Sequence, residues 1–272
     1  MSRRRVVLFD IDNTLLYTGG AGSHAMNRAF AELYGVDDGF RRIEFSGRTD
    51  LFILQGGLEH GGIEGGAGEH LPRFIEAYIR LLPESLRERD GHVMPGFPEL
   101  LEALRGAGAM LGLATGNFSD GVRLKLDFYD LSRYFEGGGY GEVSLERSDV
   151  VAAAMRAVAN GATPEDVIVV GDTPHDITAA LANGALGVGV ATGTYAQEDL
   201  HASGAHAVFP DFSDWQAARP RSWRCRPALR PWRSFDLRLP NPARPHPYAQ
   251  ANYSAKCIKN TRNYKTESPS RI

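Results

Sequence analysis

Four short, mainly apolar runs, at residues 4–9, 110–114, 167–170 and 186–190, constrain this chain more than any other feature. Each is too short for a helix and ends at acids, glycine or a turn, so each reads as a buried strand. Stretches with helical spacing lie between them, at 97–105, 119–129, 147–160 and 178–183, with Ser119 as the expected cap of the second and Gly184 stopping the last. Strands and helices alternating in this way predict an α/β fold, a Rossmann-like parallel sheet with helices on both faces. Such sheets bind ligands beyond the carboxyl ends of their strands. The residues directly after each run therefore matter most.

The segment between the first two strands follows another pattern. Residues 23–34 place Ala25, Met26, Ala29, Phe30 and Leu33 on one helical stripe, with Ser23 as the expected N-cap. A second helix is expected from about 69 to 89, interrupted by Pro83. Residues 56–70 hold seven glycines without the Lys-Ser/Thr ending of a phosphate loop, and read as a mobile connection. The predicted organisation is a catalytic core at 1–15 and 93–218, a helical cap inserted at 16–92, and a tail at 219–272.

Charge sets the tail apart. The net charge of −3 over 272 residues is the sum of −14 for residues 1–218 and +11 for residues 219–272, where 13 Lys/Arg stand against Asp236 and Glu267. That tail holds 8 of the 15 prolines, Cys225 and Cys257, and no glycine or valine. It is expected to be disordered, because proline-rich charged chain buries too little apolar area to offset its entropy. Its Arg-rich, Trp-containing sequence also admits contact with a polyanion, nucleic acid or an anionic membrane surface, and a third reading is a read-through or frame-shifted segment. With every catalytic candidate upstream of it, a nucleic-acid partner is not expected. No apolar run approaches the length of a membrane span, and the basic N-terminus is followed by too short an apolar stretch for a secretion signal. With no cysteine before Cys225, neither a disulfide framework nor a thiolate zinc site is expected to hold the body together, and a cytoplasmic setting is expected.

The strand ends carry the chemistry. Asp10 and Asp12 follow the first strand, Thr115-Gly116-Asn117 the second, and Gly171-Asp172 with Asp176 the third. Carboxylates converging at one rim repel one another and rise in pKa unless a cation sits among them. Hard oxygen donors with no His or Cys suit Mg²⁺. An Asp can act as nucleophile on phosphorus, forming an acyl phosphate, and a second Asp two residues on can pass the proton. Thr115 and the amides near Gly116 and Asn117 can hold the transferring oxygens, and a lysine can neutralise them.

Asp10-x-Asp12-x-Thr14, the strand ending in Thr115, and Gly171-Asp172-x-x-x-Asp176 resemble motifs I, II and IV of the haloacid dehalogenase superfamily. The helical insert resembles its C1 cap, and Met94-Pro95-Gly96 its phosphoglycolate-phosphatase-like branch. The resemblance covers about residues 5–215. It implies Asp10 as nucleophile, Asp12 as general acid/base, and Thr115 and Asn117 as phosphate-positioning groups. It implies Mg²⁺ ligation by Asp10, the backbone carbonyl of Asp12, Asp172 and Asp176, the last directly or through water. An Asp at position 12 excludes the dehalogenase and phosphonatase branches, leaving phosphatase or phosphomutase. The family's Lys-Pro pair of motif III is replaced here by Glu146-Arg147-Ser148. Lys125 is the expected replacement and Arg147 its competitor, although a charge at that helix start reads first as exposed. Arg48, in Gly47-Arg48-Thr49-Asp50 of the cap, is a candidate for a substrate carboxylate, with a surface salt bridge as the equal alternative.

The expected function is Mg²⁺-dependent hydrolysis of a small phosphomonoester, phosphoglycolate-like, through an aspartyl phosphate. The partner expected is a small phosphorylated metabolite, and the sequence does not fix an oligomeric state. The alternatives are a β-phosphoglucomutase-like phosphomutase and a catalytically silent scaffold with a polyanion-binding tail.

Overall fold

The computed structural model describes residues 5–159 and 161–216, so the expectations for the tail at 219–272 lie outside the described residues. The four apolar runs form β1 (Val6–Phe9), β4 (Met110–Ala114), β6 (Val167–Gly171) and β7 (Leu186–Val190). With β5 (Gly138–Gly139) and β8 (Ala207–Phe209) they build a six-stranded parallel sheet in the order β5-β4-β1-β6-β7-β8. β1 is central, and Phe9 stands in register with Leu113 on one side and Val170 on the other. β2 (Leu16–Tyr17) and β3 (His92–Val93) pair antiparallel where the chain leaves the sheet and returns to it.

Side chains of a strand point alternately to the two faces, and here both faces are covered. Val7 and Phe9 pack with Leu100, Leu104, Val122 and Leu126 of α4 (Glu99–Gly106) and α5 (Ser119–Phe128). Val6 and Leu8 pack with Val151, Ala154 and Ala180 of α6 (Arg147–Val158) and α7 (Pro174–Ala182). α8 (Gln197–Ala202) follows β7 and buries Leu200. The expected Rossmann-like α/β layering is present.

Between β2 and β3, α1 (Ala21–Tyr34), α2 (Asp50–Gly61) and α3 (Ala67–Glu88) surround a second apolar cluster of their own, including Phe30, Phe40, Leu54, Phe74 and Tyr78. Three sequence expectations change here. Most of 56–70 is helix rather than a mobile connection, because Ile53, Leu54 and Leu58 bury on one stripe. Its Gly57 serves packing: a Cβ there would lie 2.3 Å from the Phe40 ring. α3 runs through both Pro72 and Pro83 without a break, carried by a buried stripe from Phe74 to Leu86. Ser23 lies inside α1, whose N-cap is Gly20 at φ 78; the Ser23 hydroxyl donates to the Gly20 carbonyl at 3.0 Å. Likewise Phe118, not Ser119, occupies the N-cap of α5. Among the described residues no helix is long and apolar enough to cross a membrane.

Candidate active site

Asp10 follows β1 directly, its N–H donating to the Val170 carbonyl at 2.9 Å, so the central strand fixes its backbone. The residue is 8% exposed. Burial pushes its carboxyl up to about 6 against the pull of Arg147, with Asp176 and Asp12 adding to the rise. Asp172, after β6, is almost fully buried, and burial followed by its neighbours Asp10 and Asp176 pushes it well above the usual carboxylate range. Thr14 Oγ1 donates to Asp172 Oδ1 at 3.3 Å, whereas Asp172 Oδ2 is buried with no hydrogen-bond partner among the described residues. Asp176 stands in the first turn of α7, in a capping box: Thr173 N–H and Oγ1 donate to its Oδ2 at 3.1 and 2.8 Å, and its own N–H returns to Thr173 Oγ1.

Oxygens of Asp10, Asp172 and Asp176 lie within 4.8 Å of one another. Three buried carboxylates at that spacing, one with an orphaned oxygen, fit a hard divalent cation by donor type and charge. Gly193 leaves the space beside them: a Cβ there would lie 1.9 Å from Asp172 Oδ2. The Asp12 carboxylate lies outside this group. Any share it has in a metal would come from its backbone carbonyl, as the resemblance implies.

Two cations divide the carboxylates between them. Arg147, the first residue of α6, is 8% exposed, so the expectation of an exposed helix-start charge is corrected: the strand ends draw its guanidinium inward. Its Nη2 donates to Asp10 Oδ1 at 2.6 Å, to Asp176 Oδ1 at 2.7 Å and to the Ala114 carbonyl at 3.0 Å, and its Nε donates to Asp176 Oδ1 at 3.1 Å. Lys125, on α5 and 2% exposed, reaches Asp12 Oδ2 at 2.6 Å and also donates to Asn117 Oδ1. Asn117 Nδ2 donates to the same Asp12 Oδ2 at 2.9 Å. The two residues that competed for one place in the sequence thus occupy different places, Arg147 beside Asp10 and Lys125 beside Asp12.

Thr115 is fully buried at the end of β4, with its N–H held by the Gly139 carbonyl at 3.1 Å. Its hydroxyl accepts from Asn117 N–H at 3.3 Å. The Gly116 carbonyl accepts at 2.6 Å from the N–H of Asp50, at the start of α2. Asp50 is a site residue that the sequence did not single out; its only signal was the pairing with Thr49, which caps α2 through Phe52 N–H. Its carboxylate accepts from Phe118 N–H at 2.9 Å, and burial pushes it up to about 7, with Lys125 opposing the rise. A cavity of about 700 Å³ opens on these groups, and its lining includes Asp10, Asp12, Arg41, Arg48, Asn117, Lys125 and Arg147. Arg48 lines the same cavity, with its Nε buried and without a hydrogen-bond partner among the described residues. Its guanidinium pairs with Glu44 at 3.1 Å and lies 4.8 Å over the Phe52 ring.

Comparison with known proteins accords with this arrangement. A family model described as haloacid dehalogenase-like hydrolase matches residues 4–184. The chain is 28% identical over 224 residues to a phosphoglycolate phosphatase of Rhodospirillum rubrum, spanning 78% of this chain and 90% of that protein. It is 30% identical over 217 residues to a phosphoglycolate phosphatase of Caulobacter vibrioides, spanning 76% and 87%. Among solved structures, CbbY of Rhodobacter sphaeroides in complex with phosphate superposes with a TM-score of 0.61 at 22% identity, covering 78% of this chain and 96% of that one. The chain belongs to the haloacid dehalogenase-like hydrolase family. Within it the chain is an enzyme of the phosphatase class, a phosphoric monoester hydrolase.

Proposed function

We propose that this chain is a Mg²⁺-dependent phosphatase that hydrolyses a small phosphomonoester through an aspartyl phosphate on Asp10, in the cytoplasm. The observation that carries the reading is the division of the two motif I carboxylates: Asp10 buried and held by Arg147, Asp12 two residues away and held by Lys125. A nucleophile needs a fixed oxygen and an acid/base access to a proton, and the two side chains differ in exposure accordingly, Asp10 at 11% and Asp12 at 35%. In the first step an Asp10 oxygen forms the bond to phosphorus as the ester bond breaks, and Asp12 gives its proton to the departing alkoxide. In the second, Asp12 takes a proton from water, which attacks phosphorus and frees Asp10. Thr115, Gly116 and Asn117 would orient the transferring oxygens, with Lys125 and Arg147 offsetting their charge. Asp10, Asp172, Asp176 and the Asp12 carbonyl would hold Mg²⁺, which when bound supplies charge stabilisation to the phosphoryl oxygens.

Residues 16–92, with α1, α2 and α3, are read as the cap inserted in the core of 1–15 and 93–218. Phosphoglycolate, the substrate in the relatives' names, is the first ester to test. The decisive experiment is phosphate release from an aryl phosphate with Mg²⁺, with EDTA, and in Asp10→Asn. Turnover should require the metal and vanish in the variant; an active Asp10→Asn would overturn the mechanism.

A further inference from the structure

The loop that carries Asn117 is gripped from the helical segment. Asp50, the first residue of α2, holds it at two points: its N–H donates to the Gly116 carbonyl at 2.6 Å, and its carboxylate accepts from Phe118 N–H at 2.9 Å. These two partners flank Asn117 in the chain. The approach is close, since a Cβ at Gly116 would lie 2.0 Å from the Arg48 carbonyl oxygen. Phe118 adds a third tie. Although it follows β4, its ring is fully buried in the apolar cluster of the helical segment, with its centre 6.3 Å from that of Phe74 and 6.1 Å from that of Tyr78. What the loop presents to the site is the Asn117 amide, whose Nδ2 donates to Asp12 Oδ2 at 2.9 Å and whose Oδ1 accepts from Lys125. Lys125 Nζ reaches the same Asp12 oxygen at 2.6 Å, and Thr18 Oγ1 donates to the other at 3.4 Å.

We infer that Asp50 is a positioning residue for proton transfer: from α2 it fixes the Gly116–Phe118 loop so that Asn117 aims the Asp12 carboxyl at the departing alkoxide. The inference rests on the hydrolase reading above and adds to it a residue that acts through Asn117. Without the Asp50 acceptor the Phe118 N–H loses its partner, the loop relaxes, and Asp12 keeps only Lys125 and Thr18. A proton donor out of place by about an ångström still lets a good leaving group depart, whereas an alkoxide leaves slowly without its proton.

Leaving groups of different basicity separate this role from a structural one. The phenolate of para-nitrophenyl phosphate leaves without a proton, and the alkoxides of ethyl phosphate and phosphoglycolate need one. With the full chain and Mg²⁺, Asp50→Ala should lower kcat/KM by ~100-fold on the alkyl esters and by less than ~10-fold on the aryl ester. Asp50→Asn, which still offers an oxygen to Phe118 N–H, should keep the wild-type ratio of aryl to alkyl kcat/KM. In an Asn117→Ala background, adding Asp50→Ala should leave that ratio where Asn117→Ala alone puts it. If Asp50→Ala does not fold, Asp50→Glu, which keeps the charge and shifts the acceptor by one methylene, should raise the same ratio. A ratio unchanged in whichever of these two variants folds overturns the inference and leaves the hydrolase reading standing. Wild-type turnover of the aryl ester without either alkyl ester does the same, because it removes the proton donation that Asp50 would serve. Absence of turnover on every ester overturns the hydrolase reading and this inference with it.

Discussion

Replacing Asp50 by Asn should change how the stability of this protein depends on pH. Asp50 is 7% exposed, its carboxylate faces Phe118 N–H, and its pKa is raised from 3.8 to about 7, burial being the largest cause. A carboxyl whose folded pKa exceeds its unfolded one makes the folded state bind more protons between the two values, so stability falls as pH rises through that window. With 3.8 unfolded and about 7 folded, the loss from this one group is ~4 kcal/mol by pH 8, of which ~1.5 is already present at pH 5, leaving ~2.5 kcal/mol between the two. Asn keeps an oxygen to accept from Phe118 N–H but does not titrate. Whatever constant offset the substitution brings, the variant should therefore gain ~2.5 kcal/mol on the wild type between pH 5 and pH 8. In a chain of this size that is a change of about 5–10 °C in the difference between the two melting temperatures. Urea unfolding followed by circular dichroism at both pH values, with EDTA present to keep metal linkage out, reads it directly. A wild-type-to-variant gap that is the same at pH 5 and pH 8 would refute the reasoning.

Arg147→Ala should leave Asp10 and Asp176 without their shared cation, costing ~3–5 kcal/mol of stability in EDTA and abolishing turnover; Arg147→Lys, which keeps the charge but not the fork, should lose less in the same urea titration. Thr173→Ala should remove the side-chain cap of α7 and a hydroxyl from Asp176, lowering stability by ~1 kcal/mol. Gly193→Ala would bring a Cβ within 1.9 Å of Asp172 Oδ2, so the Mg²⁺ concentration for half-maximal turnover should rise by about 10-fold or more, with the wild-type value as the outcome that refutes it.

The strands that sequence revealed are those buried on both faces. A run such as Val167–Val170 has no other use for four β-branched residues, and it lies in the sheet between β1 and β7. β5 was not legible because Gly138 and Gly139 carry no pattern; only the neighbouring β4 makes them a strand. β8 and the β2–β3 pair are two or three residues each, below the length at which alternation can be seen. The helical segment was misread at 56–70 because glycine count outweighed the Ile53-Leu54-Leu58 stripe, whose meaning depends on a Phe40 ring close enough to exclude a Cβ at Gly57.

At the site, the acids following strands were legible because strand ends converge in any parallel sheet. The place of Arg147 was not, since a charge at a helix start reads as solvated until the carboxylates it meets are brought near it. Asp50 was invisible for a related reason. Its burial comes from the contact of α2 with the loop at 116–118, two segments far apart in the chain.

The register of β1 has a consequence for which changes of length the gene can survive. Phe9 stands level with Leu113 and Val170, so Asp10, Ala114 and Gly171 fall in the next row, and the site is assembled by counting residues along three strands. Because side chains alternate, removing one residue from the β1 stretch turns every following side chain to the opposite face, Asp10 included. Exchange of one branched aliphatic for another in these strands alters packing by small amounts. A single-codon deletion there erases the site. Insertions away from the site residues that follow the strands only lengthen what surrounds the site, so variation of length in relatives should gather in the helical segment between β2 and β3.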